Sequence, residues 1–173
     1  FAHYDYWDNK LRRSILFDSR AHILVYGNGE KQIIAIADRL RTDPDSTLAG
    51  IKGTCVITRD LDPDMSCTML PSFAEVSTDN QAFCRMQSGF SNDANLVHEY
   101  NNKFVVQYAS PEYSPEALDR IYSLDYSRTL HPRSLLKMAR FSVVTHRGCF
   151  GRCSFCSIAL HQGDVIISRS EDN

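Results

Sequence analysis

An apolar run, a glycine turn and an amphipathic stretch follow one another without a break in AHILVYGNGEKQIIAIADRLR, residues 21–41. The apolar run reads as a strand, Asn28 and Gly29 supply the turn, and Ile33, Ile36, Ala37 and Leu40 then fall on one helical face. Strand, glycine turn and helix in that order is the grammar of a doubly wound α/β sheet. The turn itself, GNGE, lacks the third glycine of a G-x-G-x-x-G phosphate loop, and Glu30 would repel a phosphate. It reads as a plain β-to-α connection.

Further elements follow by the same rules. Residues 51–60, IKGTCVITRD, and 102–111, NKFVVQYASP, have the β-branched content of strands, the second ending at Pro111. SPEALDRIYSL, from Ser114, reads as a helix with Ser114 at the N-cap, Pro115 at the first position, and Leu118, Ile121 and Tyr122 towards the core. Residues 125–133 have the composition of a link between domains, and MARFSVVTH, 138–146, that of a buried strand. At the end of the chain Ser170 is placed as an N-cap with Glu171 and Asp172 in a first turn. With Phe1 at its start, the sequence is expected to be an internal piece of a longer protein.

Charge points to no partner. Lys plus Arg number 19 against 21 Asp plus Glu, a formal net charge of -2, so no field concentrates a polyanion such as nucleic acid. No run approaches the roughly 20 apolar residues that span a bilayer, and no secretory leader opens the sequence; the expectation is a cytoplasmic protein. Of six cysteines, Cys55, Cys67 and Cys84 are scattered and read as buried or incidental thiols. Cys149, Cys153 and Cys156 crowd one turn-rich segment, which favours a metal site in a reducing compartment over disulfides.

That segment, RGCFGRCSFC, residues 147–156, follows a strand, at the edge where α/β folds place their reactive centres. Structural zinc takes four protein ligands, and His146 or His161 would complete a Cys3His site. A [4Fe–4S] cube takes a cysteine on each iron, so three cysteines would leave one iron open to a substrate or cofactor. Gly148 and Gly151 suit a loop folded tightly around either metal.

The spacing C-x3-C-x2-C, with Phe155 directly before the third cysteine, resembles the cluster motif of the radical SAM enzymes. HYDYWDNKLRRSIL, ILVYGNGEKQI, ALDRIYSLDYSRTLHP, FSVVTHRGCFGRCSFCSIALHQG and ISRSED, in that order, resemble the YgiQ-type radical SAM proteins more closely still. The resemblance implies that Cys149, Cys153 and Cys156 hold three irons of a [4Fe–4S] cluster. The fourth iron would chelate S-adenosylmethionine, with Phe155 near its adenine. Reductive cleavage would then yield a 5′-deoxyadenosyl radical acting on an unknown substrate, with the electron coming from an external flavodoxin- or ferredoxin-type donor. It also implies that residues 1–60 close a Rossmann-like, cobalamin-binding-like domain and 61–135 connect. Residues 136–173 would then carry the first strand and cluster loop of a truncated radical SAM partial (β/α) barrel. Two departures stand out: the family usually has glycine at the position of Arg152, and Leu-Pro-Tyr where this chain has Leu124-Asp125-Tyr126. No D-x-H-x-x-G cobalamin signature is present in the sequence.

Other classes remain open at this level. A zinc-binding interaction module would use His146 or His161, and an electron-transfer iron–sulfur protein would draw a fourth ligand from Cys55, Cys67 or Cys84 or from beyond these residues. His3, Tyr4, Asp5, Tyr6 and Trp7 form an aromatic, polar group that either lines a substrate cavity or packs its rings against a domain. Arg147 either assists a cofactor carboxylate or is a solvated side chain. A piece of chain carrying one barrel strand is expected to be unstable and inactive by itself.

Overall fold

The computed structural model describes residues 1–127 and 129–173, in two units, Phe1–Pro111 and Glu112–Asn173. The first opens on a hairpin of β1 (His3–Asp5) and β2 (Lys10–Arg12), paired antiparallel with Tyr4 opposite Leu11. Asp5 shapes its turn by accepting from the backbone N–H groups of Trp7 (3.1 Å) and Asp8 (3.4 Å) and from Arg12 Nε (3.2 Å). The short helix α1 (Ile15–Ser19) follows, with Ser14 as its cap and Leu16 buried.

After β3 (Leu24–Val25), Gly27 turns the chain at φ +67° and α2 (Glu30–Thr42) begins, as the strand–turn–helix pattern requires. Its buried face is not the expected one. Gln32 and Ile36 are buried, whereas Ile33, Ala37 and Leu40 are exposed. The cause is polar anchoring along the i, i+4, i+7 stripe: Arg39 on that stripe donates to the carbonyls of Ala49 (2.6 Å) and Thr47 (3.1 Å), which turns the isoleucine edge outward.

The remaining strands of this unit are β4 (Thr54–Thr58), β5 (Thr68–Met69), β6 (Leu96–Tyr100) and β7 (Lys103–Gln107). Between β5 and β6 lie α3 (Phe73–Thr78) and α4 (Asn80–Ser88). A capping box starts α3, in which Ser72 Oγ accepts from Glu75 N–H (3.3 Å) and the Glu75 carboxylate accepts from Ser72 N–H (2.7 Å). The sheet order is β3-β4-β7-β6-β5. It is mixed: β5 and β6 run parallel, joined through α3 and α4, and every other neighbouring pair is antiparallel. This differs from the doubly wound parallel sheet expected from residues 21–41. The helix α2 is followed by the long return 43–53, so the chain re-enters the sheet at β4 running opposite to β3. Within residues 61–135, expected to be a connecting region, 61–111 supply three of the five strands, β5, β6 and β7.

Central strands are buried on both faces, which explains their uninterrupted apolar runs. Val56, Val106 and Val97 stand in one cross-strand row and form one side of the core. Leu16, Cys55, Tyr100 and Val105 fill the other, and Ala2, Leu70, Val76, Ala82, Met86 and Leu96 pack with α3 and α4. Each fully buried valine or leucine contributes about 1.5–3 kcal/mol relative to exposure. Cys55 belongs to this core, and burial pushes its thiol up to about 11. It is a packing residue.

In the second unit, α5 (Pro115–Tyr122) begins as expected, with Ser114 Oγ accepting from Ala117 N–H (3.3 Å) and Pro115 in the first turn. Leu118 is fully buried. Of the expected link 125–133, Arg128 lies outside the described residues, and its neighbours form no helix or strand. A buried strand over 138–146 is not formed. Residues Lys137–Phe141 make a 3-10 helix, Phe141 is 82% exposed, and pairing begins only at β8 (His146–Arg147). A barrel strand is stabilised by ladders on both edges and a covering helix layer, and among the described residues β8 forms a ladder with β9 (Ile167–Ser168) alone. Between them lies the one-turn α6 (Ile158–Gln162). At residues 170–173 Asn173 N–H donates to Ser170 O (3.3 Å), and Ser170 N–H is taken by Asp119 Oδ1 (3.0 Å).

Candidate metal centre

The three cysteines occupy the loop that leaves β8 and enters α6. Two backbone contacts fix where the loop starts. Gly148 takes φ +91° and lies so close to Val165 that a Cβ there would sit 2.0 Å from the Val165 carbonyl oxygen. Its N–H donates to Gln162 Oε1 (3.2 Å), and the next amide, that of Cys149, donates to Gly163 O (3.0 Å). At the far end, Cys156 N–H closes a turn onto Cys153 O (2.9 Å). The start of the loop is therefore tied by backbone to Gly163, and its far end closes in a turn on itself.

Within it, Cys149 and Cys156 are half-buried and Cys153 is exposed; all three are free thiols. A Cβ on Gly151 would come to 3.4 Å from Cys149 Sγ and 3.6 Å from Cys153 Sγ. The missing side chain at Gly151 thus keeps open the space that two of the sulfurs share. Among the described residues, no group of three or more His, Cys, Asp and Glu side chains has converged on one point. His146 Nδ1 lies 3.0 Å from Thr145 Oγ1, and His161 sits exposed near the end of α6. The donor set fits a soft metal or an iron–sulfur cluster: three thiols without a carboxylate, on one loop, with a glycine between the first two. Final convergence of such ligands is ordinarily coupled to metal uptake.

Phe155, expected near a bound nucleoside, is 90% exposed, and Phe150 on the same loop is also exposed. Arg147 is not the solvated side chain that its position suggested. It is half-buried, its Nε donates to the Tyr122 hydroxyl (3.1 Å) and its guanidinium lies over the Tyr122 ring. Sequence reasoning also passed over Arg152 and Asp164, which form an ion pair across the loop. The one sequence signal for that region was the departure from glycine at residue 152. In the aromatic group near the N-terminus, Tyr6 and Trp7 stack on one another (5.1 Å between centroids) at the exposed tip of the β1–β2 hairpin.

Residues 1–145 match the model of the family described as radical SAM N-terminal, a match that ends four residues before Cys149. Over its whole length the chain is 40% identical to a UPF0313 protein of Clostridium botulinum strain 657, covering 29% of that protein. It is 44% identical to a UPF0313 protein of Clostridium perfringens, covering 28% of it. The chain therefore spans less than a third of the curated relatives it matches. No solved structure matches it. Among the described residues, no helix is long and apolar enough to cross a membrane.

Proposed function

The chain belongs to the radical SAM N-terminal family, and from that premise we propose that Cys149, Cys153 and Cys156 hold a [4Fe–4S] cluster of a radical SAM enzyme. One observation carries the reading: three free thiols follow directly on the family match, on a loop anchored by backbone at its start, closed by a turn at its end and kept open at Gly151. Cys149, Cys153 and Cys156 would hold the cluster, which when bound beside S-adenosylmethionine would supply the one-electron reduction that cleaves the cofactor's sulfonium. The chain's own part is positional. Gly148, Cys149 and Gln162 seat the loop on the segment 163–165, and Gly151 leaves room between two ligands. Phe155 offers an uncovered aromatic face of the kind that stacks on an adenine.

In this reading residues 136–173 are the start of the catalytic domain of a longer enzyme. Its electron comes from a flavodoxin- or ferredoxin-type donor in the reducing cytoplasm, and its substrate is not specified by any residue here. The test is electron paramagnetic resonance of the full-length protein, reconstituted with iron and sulfide without oxygen, reduced, and recorded with and without S-adenosylmethionine. A cluster signal that changes on adding S-adenosylmethionine is expected. A cluster signal indifferent to it would make the protein an electron carrier, and tightly held zinc released by substituting His146 or His161 would make the loop a structural knuckle.

A further inference from the structure

Arg152 is out of character for its backbone. It takes φ +43°, in the left-handed region where an L side chain is strained and glycine is not, and it lies between two of the cysteines. Of the other non-glycine residues with positive φ, Asn9 and Asn101 are asparagines, which tolerate this region, and Arg20 ends α1. At residue 152 nothing local favours an arginine. Its side chain, however, reaches across the loop and pairs with the carboxylate of Asp164.

Asp164 directly follows Gly163, whose carbonyl accepts the N–H of Cys149. The segment 149–152 is therefore joined to 163–164 twice, by backbone at its first residue and by an ion pair at its last. Gly151 belongs to that doubly tied segment, and Cys153, the next ligand, directly follows the tethered residue. We propose that the Arg152–Asp164 pair is a clasp that holds the first half of the cysteine loop in its ligand-ready shape before metal arrives. Glycine at 152 would adopt the backbone conformation freely but would leave the loop loose. Arginine accepts the strain and supplies a tether. Ordering the loop in advance lowers the entropic cost of closing three thiolates on a metal, which favours uptake and retention. Arg152 is a positioning residue and touches no reacting atom.

The inference rests on the loop being a metal centre, and two readouts in the full-length protein separate its failure from a failure of that reading. The first is the rate at which a ferrous chelator strips iron from the reconstituted protein. The arginine side chain is 73% exposed, so the effect is modest and screened. Asp164→Asn is expected to speed iron loss roughly two- to five-fold at low ionic strength, with the difference vanishing near 1 M salt. Arg152→Gly should lose the tether likewise, and the double exchange Arg152→Asp with Asp164→Arg should recover part of the retention. Equal rates for parent and Asp164→Asn at low salt would overturn the clasp. The second readout is hydrogen exchange at the amides of residues 150–153 in metal-free protein. Faster exchange in Asp164→Asn is expected, and unchanged exchange would overturn the clasp even if the parent held no iron.

Discussion

The guanidinium of Arg147 lies 5.3 Å from the centroid of the Tyr122 ring, and its Nε donates to the hydroxyl of the same tyrosine at 3.1 Å. Arg169 lies over the Tyr122 ring as well, at 4.8 Å, and its Nη1 donates to Val144 O (2.9 Å). One aromatic side chain at the end of α5 thus gathers one arginine from β8 and another just after β9, the two strands that frame the cysteine loop. A second tie runs parallel to it, where Asn173 Nδ2 donates to Ser123 Oγ (2.5 Å) and to Asp119 O (3.3 Å). Polar and cation–π contacts hold the two-stranded ladder where a hydrophobic layer is thin.

Replacing Tyr122 should therefore loosen the base of the loop. Tyr122→Phe removes the acceptor for Arg147 and is expected to cost about 1 kcal/mol. Tyr122→Leu removes both cation–π contacts as well and should cost roughly 2–3 kcal/mol. Hydrogen exchange at the amides of 146–148 and 167–169 reads this directly. Equal protection in Tyr122→Leu and parent would show that the stack carries no stability.

A second prediction concerns pH and the core of the first unit. His98 is fully buried on β6 against Tyr100 (4.6 Å between ring centroids) and Phe1 (5.8 Å). Burial lowers its pKa from 6.5 to about 4. As pH falls, the unfolded chain takes up this proton first. The contribution of neutral His98 is thus intact above about pH 6.5, declines through the window between the two values, and is gone below about pH 4. The integrated loss is on the order of 3 kcal/mol. Urea titrations at pH 7 and pH 5 should show the parent losing stability over this interval and His98→Gln losing less. A parent whose midpoint is the same at both values would contradict the assignment.

How much of this was legible in the chain depended on how local each cause is. Ser114 and Pro115 announce α5 because a cap and its first turn lie within a few residues, and the valines of β7 announce a buried strand for the same reason. The cysteine loop was legible because its three thiols are close in sequence. The face of α2 was not, since it is set by Arg39 reaching backbone carbonyls that only the fold brings near. Strand direction was hidden too: a strand–turn–helix pattern fixes the turn, whereas the return 43–53 decides how the chain re-enters the sheet. The apolar stretch 142–145 has strand composition but lacks a ladder among the described residues, so composition did not become structure. The ties Arg147–Tyr122 and Arg152–Asp164 join residues 25 and 12 positions apart, and no periodicity marks them.

The last prediction uses two glycines with nearly the same backbone angle and different surroundings. Gly148 at φ +91° and Gly163 at φ +89° both border the cysteine loop, and alanine at either carries a positive-φ penalty, of roughly 1–3 kcal/mol at Gly163, whose ψ of 167° lies in a region essentially reserved for glycine. Around Gly163 there is nothing within 4 Å of an added Cβ, so Gly163→Ala should stop at that penalty and leave metal uptake largely intact. At Gly148 the Cβ would meet the Val165 carbonyl oxygen at 2.0 Å and its carbon at 2.8 Å. Backbone atoms cannot rotate away as a flexible side chain can. Relief of the clash would have to separate β8 from residue 165, drawing Cys149 away from the Gly163 carbonyl that holds it. Gly148→Ala is therefore expected to lower bound iron per protein well below Gly163→Ala, by far more than their shared angle explains. Iron content and circular dichroism of the two variants measured side by side test this, and equal iron content would mean that the contact with Val165 does not position the first cysteine.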